Sequence, residues 1–514
     1  MSHVVITPVL LPLCTAILLL LLNRSGTIPR ALGMAAVLAQ LGMAAVLAQL
    51  GLALLLTALV SDGEILVYAL GHWPAPFGIV LVADRLAAWM LVTTALLALF
   101  ALWSALQGDD ITGAHFHVLF QLQLFGINGA FLTGDLFNLF VFFEILLLAS
   151  YGLLLHGGGR HRTRAGLHFV VVNLIGSTLF LFAVGTLYGV LGTLNMADLA
   201  RKIADVPPEN VWLVQSAGFL LFSVFALKAA LLPFYLWLPA AYAKTSAPVA
   251  ALFAIMTKVG AYSILRVSTL LFGAQAGPIA HLFDPLLPPL AMATLVIGAL
   301  GAVASVQLRQ QVAYLVVASV GSLLLAFGLG HAEGIAAGLY YLPHTTFTAA
   351  ALFLLADVIA RQRGASDDRL DPGPAIAGSG LLGALFFIAA VAMAGLPPLA
   401  GFVGKLLTLR AALDHPLMFW MMATVLSAGL LSMIALARSG SLLFFRPAAA
   451  ETDAVVEQPL ALARRTAPII GLLLLGLGLM LGAGPLTSAA RASADQLLQP
   501  QVYMQAVLAP GGLR

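Results

Sequence analysis

Long apolar runs alternate with short polar breaks along nearly the whole chain of 514 residues. An α-helix needs about 20 consecutive apolar residues to cross the hydrocarbon core of a bilayer. Runs that approach or exceed this length fall at approximately 4–22, 31–60, 79–106, 115–133, 135–156, 165–191, 211–242, 246–272, 287–306, 312–330, 335–360, 378–413, 417–445 and 466–487. The pattern predicts an all-α polytopic membrane protein, a single transmembrane domain over residues 1–514 with about 14 transmembrane helices.

Two of these runs are too long for one straight crossing, and both contain proline. Pro233 interrupts the run 211–242, and Pro397 and Pro398 interrupt the run 378–413. Proline removes a backbone donor and clashes with the preceding turn, so we expect broken helices at both places. Broken helices at corresponding places in two halves are typical of carriers that are built from repeats.

The two breaks recur five predicted helices apart, which indicates two inverted five-helix repeats. The first repeat spans residues 115–272 and the second spans 287–445, with flanking helices in 1–106 and 466–487. An odd number of helices per repeat requires that the two copies have opposite orientations in the membrane.

Composition and charge agree with a membrane protein. Charged residues make up 9% of the chain and hydrophobic residues 61%, whereas a soluble domain has about 25% charged residues. If the N-terminus lies outside, the arginine-rich loops all fall on one side, where they hold Arg24, Arg30, Arg160, Arg162, Arg164, Lys244, Arg309, Arg361, Arg363, Arg369, Arg446, Arg464 and Arg465. The positive-inside rule then predicts that this side is cytoplasmic and that both termini face outward.

Four lysine or glutamate side chains lie deep inside apolar runs: Glu144, Lys228, Lys258 and Lys405. Placing such a residue near the bilayer centre costs about 2.5 to 3.5 kcal/mol on insertion scales, which favours a functional role. Burial favours the uncharged form of lysine, so a buried lysine can take up and release a proton. These residues therefore predict a proton or cation pathway.

Glu144 has no charged neighbour within a turn of its own helix and needs a partner on another helix. We expect this partner to be Lys228, one turn before the break at Pro233. Closing and opening of this ion pair changes how tightly the lysine holds its proton. A static ion pair that fixes helix packing is the alternative.

Three further residues extend the pathway. Lys258 stands near the middle of its run, and His344 is flanked by hydroxyl side chains. A histidine on an apolar helix is either a packing residue or, in line with the lysines, a proton relay. Lys405 follows the second break and mirrors Lys228 across the proposed repeats. We call Glu144, Lys228, Lys258, His344 and Lys405 the ionisable row.

Other polar positions are weaker candidates. Asp135, Asn138 and Asp357 lie near predicted helix ends, where capping or solvation is the usual role. Arg266 and His331 are expected at the membrane interface.

No motif in the sequence points to a cofactor or to an enzyme activity. No cluster of Cys or His has the spacing of a metal site, and no glycine-rich phosphate-binding loop opens a helix. We predict no metal, no cofactor and no nucleic-acid partner. The chain must then be driven by an ion gradient or by a partner protein.

Three segments of the chain resemble a known family: residues 228–262, which contain Lys228, Lys258 and Pro233, residues 341–357, which contain His344, and residues 395–405, which contain the second break. They are similar to the antiporter-like subunits shared by multisubunit cation/proton antiporters and the membrane arm of respiratory complex I. Within that superfamily the chain most resembles the D subunit of the Mrp/Pha-type monovalent cation/proton antiporter. The resemblance runs through nearly the whole chain.

The resemblance implies a helical core with inverted repeats in a bacterial inner membrane, and a mid-membrane pathway along the ionisable row. It also implies that other subunits of the complex are partners, and that the protein interacts with monovalent cations, protons and membrane lipids. Many relatives carry a lysine four residues after the histidine, where this chain has Thr348. That step would then depend on His344 or on water.

The sequence favours a subunit of a multisubunit antiporter that exchanges K⁺ or Na⁺ for protons, with proton conduction along the ionisable row as its own task. The alternative is a proton-pumping membrane-arm subunit of a complex I-like or hydrogenase-type redox complex. A passive channel, or a scaffold with fixed buried ion pairs, is a third hypothesis. The favoured hypothesis describes a secondary transporter subunit and not an enzyme.

Overall fold

The computed structural model describes residues 3–22, 28–445 and 459–509, with the side chains of all of these except 28–35 and 459. Twenty α-helices and two β-strands are present in these residues. The helices are α1 (His3–Leu22), α2 (Ile28–Val60), α3 (Arg85–Ala105), α4 (Phe116–Leu132), α5 (Leu136–Leu155), α6 (Arg160–Leu191), α7 (Met196–Ala204), α8 (Val211–Ala229), α9 (Trp237–Lys244), α10 (Ala247–Phe253), α11 (Met256–Leu270), α12 (Leu287–Ala304), α13 (Leu308–Phe327), α14 (Ala332–Gln362), α15 (Ser379–Ala394), α16 (Ala400–Ala411), α17 (Met418–Gly440), α18 (Pro459–Leu481), α19 (Ala483–Leu497) and α20 (Pro500–Leu508). The strands are β1 (Leu66–Ala69) and β2 (Val80–Ala83).

The helices form a polytopic membrane bundle, as the apolar pattern predicts. Twelve helical segments among the described residues are long and apolar enough to cross a membrane, and α4 and α15 are shorter apolar helices. Large apolar side chains stay exposed along the bundle, including Leu54, Leu148 and Leu174. An apolar outer surface of this kind is stable only against lipid or another membrane protein.

Contacts between loops bring the described arginine-rich loops together on one face. Arg361 pairs with Asp357 at 2.6 Å and with Asp109 at 3.2 Å, and Arg309 pairs with Asp357 at 3.0 Å. Burial raises the pKa of Asp109, with Asp357 adding to the rise and Arg361 opposing it. We call this the arginine-rich face, and it also carries Arg162, Lys244 and Arg369. Arg24, Arg30 and Arg446 fall outside the described side chains.

Short elements that the apolar pattern does not reveal cover the opposite face. β1 and β2 form an antiparallel hairpin in which Leu66 pairs with Ala83. Helix α19 docks beside it, where Arg85 Nη1 donates to Ala492 O at 3.1 Å and Gln496 Nε2 donates to Gly63 O at 3.0 Å. The all-α prediction holds for the bundle, and this hairpin of two four-residue strands is a small addition to it.

Both predicted helix breaks are confirmed. Ala230, with φ 60°, separates α8 from the turn that leads to α9, and Pro233 lies in that turn. Gly395, with φ 77°, ends α15, and Pro397 and Pro398 lie before α16. The left-handed backbone ends each half-helix and exposes its last carbonyl groups to side chains.

Helix neighbours follow the same order in the two predicted repeats. In the first, α4 packs on α5, α5 on α6, α6 on α8 and α8 on α11. In the second, α12 packs on α13, α13 on α14, α14 on α15 and α16, and α15 on α17. This agreement supports repeats at 115–272 and 287–445, whose boundaries stay a prediction.

Candidate functional site

The five residues of the ionisable row lie on five different helices, α5, α8, α11, α14 and α16, and the two breaks interrupt the crossings that carry Lys228 and Lys405. Lys228, Lys258 and His344 are 5%, 0% and 2% exposed, respectively. Glu144 and Lys405 are half-buried. Charged or titratable groups at this depth need hydrogen-bond partners, so the partners of each residue show what it can do.

Glu144 and Lys228 are joined through α6 and not by a direct ion pair. The Ser177 hydroxyl donates to the Glu144 carboxylate, and Lys228 Nζ donates to Asn173 Oδ1 at 3.2 Å. Asn173 and Ser177 stand one turn apart on α6 and therefore share a face. Lys228 Nζ also lies 5.8 Å from the centre of the Phe143 ring, next to Glu144 on α5. The predicted direct contact is thus replaced by a polar bridge across three helices.

The sequence carries a signal for this bridge that charge alone does not reveal. Asn173 and Ser177 recur at a spacing of one turn in an otherwise apolar stretch of α6, and both are buried. Amides and hydroxyls at such spacing in a membrane helix usually bond to another helix. Their partners could not be read from the sequence because they come from α5 and α8.

Lys258 is the most isolated member of the row. Its side chain is fully buried, and Nζ has no hydrogen-bond partner among the described residues. Gly260 presses α11 onto the end of α8, where a Cβ at this position would stand 2.4 Å from Ala229 N. Two residues correspond to about 200° around a helix, so Lys258 faces away from α8 and from Lys228. The α10–α11 crossing is also interrupted at Ala254 and Ile255, just before Lys258. The apolar run 246–272 gives no sign of this interruption.

His344 and Lys405 converge on the broken end of α15. His344 Nε2 bonds to Ala392 O at 3.1 Å, and Lys405 Nζ donates to Ala394 O at 2.6 Å. The C-terminal carbonyls of a helix carry partial negative charge, which favours a cation at this position. The break therefore provides a shared acceptor site for the two residues. His344 Nδ1 has no partner among the described residues, and Thr348, one turn further along α14, is buried.

Lys228 and Lys405 do not occupy equivalent positions in the two repeats. Lys228 precedes its break on α8, whereas Lys405 follows the second break on α16. The expected mirror relation between the two lysines is therefore wrong. What the two sites share is a lysine beside a broken helix.

The weaker candidates have structural roles. Asp135 caps α5 by accepting from Asn138 N at 2.8 Å, and Asp357 binds two arginines on the arginine-rich face. His331 lies at the start of α14, with Nε2 bonded to Ala411 O at 3.1 Å. Arg266, expected at the membrane interface, is buried within the protein and paired with Asp84 at 2.6 Å. No local pattern indicates this pair because its members are far apart in the chain.

Among the described residues no group of three or more His, Cys, Asp or Glu side chains is placed to hold a metal ion. The fold and the ionisable row define a polytopic membrane protein that places titratable groups inside its spanning helices, several of them beside helix breaks. The chain belongs to the family described as NADH:quinone oxidoreductase/Mrp antiporter, transmembrane region, whose model matches residues 133–431.

Similar proteins match along nearly their whole length. The D subunit of a probable K⁺/H⁺ antiporter of Rhizobium meliloti (strain 1021) is 41% identical over 539 aligned residues, covering 99% of this chain and 98% of the relative. The D subunit of a Na⁺/H⁺ antiporter of Alkalihalophilus pseudofirmus is 35% identical and covers 99% of this chain and 100% of the relative. A chain in the solved structure of the Mrp complex from Dietzia sp. DQ12-45-1b matches with a TM-score of 0.84 and 28% identity, over 99% of both chains.

Proposed function

We propose that this chain is the D subunit of a multisubunit K⁺ or Na⁺/proton antiporter and that it conducts protons along the ionisable row. The observation that carries the proposal is the polar bridge from Glu144 through α6 to Lys228. Such a bridge gives the half-buried Glu144 and the buried Lys228 a route for proton exchange that stays inside the membrane. Full-length similarity to relatives named as D subunits of K⁺/H⁺ and Na⁺/H⁺ antiporters supports the complex as its setting.

Proton movement along the row follows from charge coupling between its members. Protonation of Glu144 weakens the hold of the α6 bridge on a charged Lys228, which then releases its proton more easily. Lys258 is the next buried base, and His344 and Lys405 share the end of α15. A row dominated by lysines repels cations, so K⁺ or Na⁺ crosses the complex elsewhere.

The proposal sets the chain in a bacterial inner membrane, with the arginine-rich face in the cytoplasm and both termini outside. Other antiporter subunits and membrane lipids are its partners. The family description also includes NADH:quinone oxidoreductases, so a membrane-arm subunit of a redox complex is the second candidate. The two full-length relatives named as antiporter subunits favour the first.

The proposal is tested by cation-dependent proton movement in inverted vesicles that carry the complete complex. Sodium and potassium are assayed separately, and wild type is compared with Glu144→Ala and Lys228→Ala at matched assembly levels. We expect both variants to lose at least ~tenfold in exchange rate because each removes one end of the polar bridge. Unchanged exchange in both variants would show that the buried charges are structural. Proton movement that requires a quinone or another redox substrate, and no cation, would favour the second candidate.

A milder change tests the bridge itself. Asn173→Leu removes the acceptor of Lys228 but leaves both ionisable residues, so we expect exchange to fall by about fivefold, less than in Lys228→Ala. Thr178→Ala is the matched control, since Thr178 is an exposed residue of the same helix whose hydroxyl, among the described residues, donates to Leu174 O alone. Equal rates in Asn173→Leu and Thr178→Ala would contradict a role for α6 in proton exchange.

A further inference from the structure

Gln123 of α4 is a buried polar residue outside the ionisable row. It is 0% exposed, and neither Oε1 nor Nε2 has a hydrogen-bond partner among the described residues. Buried side-chain amides in proteins are nearly always bonded to protein or to ordered water. Two other buried amides of α4 obey this rule: Gln121 Nε2 donates to Gly42 O at 3.1 Å, and Asn128 Nδ2 donates to Pro8 O at 2.9 Å.

The direction of Gln123 follows from its neighbour on the same helix. Gln121 bonds to Gln49 and to the backbone of α2. Gln123 comes two residues later and therefore points about 200° away from Gln121. Helices α3, α5 and α11 pack on α4 in addition to α1 and α2, so the amide of Gln123 is directed to the side of α4 that α3, α5 and α11 cover.

Lys258 approaches α4 on this side. Tyr262 of α11 donates its hydroxyl to Phe131 O of α4 at 2.7 Å, and the two rings stand 5.0 Å apart. Lys258 comes one turn before Tyr262 on the same face of α11. Its Nζ has no hydrogen-bond partner among the described residues, like both amide atoms of Gln123.

The Tyr262–Phe131 contact also shows how far apart Gln123 and Lys258 lie along the helix axes. Helices α4 and α10–α11 both begin at the arginine-rich face and run in the same direction. From Phe131 back to Gln123 is about 12 Å along α4, and from Tyr262 back to Lys258 is about 6 Å along α11. The backbone positions of Gln123 and Lys258 are therefore offset by about 6 Å along the helix axes, an offset that the two long side chains can bridge with one water molecule between them.

We propose that Gln123 and Lys258 line an internal water-binding site between α4 and α11, in which Gln123 orients the water that exchanges a proton with Lys258. The Gln123 amide can accept from the water through Oε1 and donate to it through Nε2. The ammonium group gives a proton to the water oxygen, which leaves a neutral amine and a hydronium ion; the hydronium ion then returns a proton to the amine or passes one to a further water molecule, so the step needs no redox partner. The water site stands on the geometry of α4 and α11, and its transport role rests on the proposed proton conduction. Gln123 is a positioning residue for Lys258.

The rival explanation is that Gln123 is a dry packing residue with two unbonded polar atoms. The two explanations predict opposite outcomes for Gln123→Leu. Replacing an unbonded buried amide by an apolar side chain of similar size is neutral or stabilising. Removing the group that orients a proton-carrying water instead slows transfer without loosening the helix packing.

The test uses the complete complex in inverted vesicles, with rates expressed per assembled complex. For Gln123→Leu we expect the maximal rate of cation-dependent proton movement to fall about tenfold. The cation concentration at half-maximal rate should stay unchanged, and the rate ratio between H₂O and D₂O should rise because proton transfer becomes rate-limiting. Gln123→Asn keeps an amide and leaves room for a second water, so it should retain the rate within about threefold.

Gln121→Leu is the matched control because it makes the same change on the opposite side of α4. It breaks the two hydrogen bonds that join Gln121 to α2, one from Gln49 Nε2 and one to Gly42 O. We therefore expect fewer assembled complexes, with a rate per complex within about twofold of wild type. A wild-type rate and an unchanged isotope ratio in Gln123→Leu would overturn the inference. If Gln123→Leu does not assemble, a high-resolution map of the wild-type complex decides: water density between Gln123 and Lys258 supports the site, and a dry, closed contact overturns it.

Glu144→Ala in the same vesicles separates this inference from the proposed function. Loss of exchange in Glu144→Ala together with a normal rate in Gln123→Leu contradicts only the water site. Normal exchange in Glu144→Ala contradicts the proposed proton path, while water density beside Gln123 would still support the site itself.

Discussion

Replacing Asp84 by asparagine is expected to lower the free energy of unfolding by about 3–5 kcal/mol, because it leaves a buried guanidinium group without its countercharge. Asp84 and Arg266 form a bidentate ion pair, in which Nη1 donates to Oδ2 at 2.6 Å and Nη2 donates to Oδ1 at 2.9 Å. Their side chains are 2% and 6% exposed. The pair ties the start of α3 to the far end of α11, and the rings of Tyr262 and Tyr503 lie 5.5 Å from the guanidinium carbon.

Asparagine is the informative replacement because it keeps the other role of Asp84. The carboxylate also caps α3 by accepting from Ala87 N at 2.9 Å, and asparagine caps helices about as well as aspartate does. The loss of stability in Asp84→Asn therefore reports the unpaired charge. Adding Arg266→Leu removes that charge, so the double variant should recover most of the lost stability.

Unfolding of the purified chain in mixed detergent micelles measures these differences. Arg491→Gln is the control, since Arg491 makes ion pairs with Glu333 and Asp495 among exposed side chains. We expect that change to cost less than about 1 kcal/mol. An Asp84→Asn variant no less stable than Arg491→Gln would show that the buried pair contributes little to the fold.

The features that the sequence predicts well are those that a short stretch of residues determines by itself. Apolar runs identify the spanning helices because lipid demands about 20 apolar residues in a row. Pro233 and Pro397 mark the breaks because proline removes a backbone donor wherever it stands. Charged residues in apolar runs indicate the ionisable row. The free energy of placing a charge in a bilayer is high whatever residues surround it, so the signal can be read without knowing the packing.

What the sequence does not predict depends on which helices meet. The bridge through Asn173 and Ser177 needs the packing of α5, α6 and α8, and the Asp84–Arg266 pair joins residues that are distant in the chain. The hairpin of β1 and β2 has strands of four residues each, too short for a pattern of long apolar runs to detect. Gln123 shows the same limit: only its unbonded, buried amide distinguishes it from Gln121.

Replacing Gly260 by alanine is expected to destabilise the chain by about 2–3 kcal/mol, because the added methyl group has no room between α11 and α8. A Cβ at Gly260 would stand 2.4 Å from Ala229 N and 2.7 Å from Lys228 C. These are backbone atoms at the end of a half-helix, so they cannot turn aside as a flexible side chain can. The two helices must move apart, and the movement displaces the backbone that carries Lys228.

Gly185→Ala on α6 gives the opposite expectation and so serves as the control. A Cβ at Gly185 meets no atom within 4 Å, and alanine in the interior of a helix is favoured over glycine by about 0.5–1 kcal/mol. Unfolding in micelles should therefore show a small gain for Gly185→Ala and a clear loss for Gly260→Ala. Exchange per assembled complex should fall only in Gly260→Ala, because only there does the strain reach the α6–α8 bridge. Equal stability of the two variants would mean that α8 can shift freely, and that the contact at Gly260 does not fix the position of Lys228.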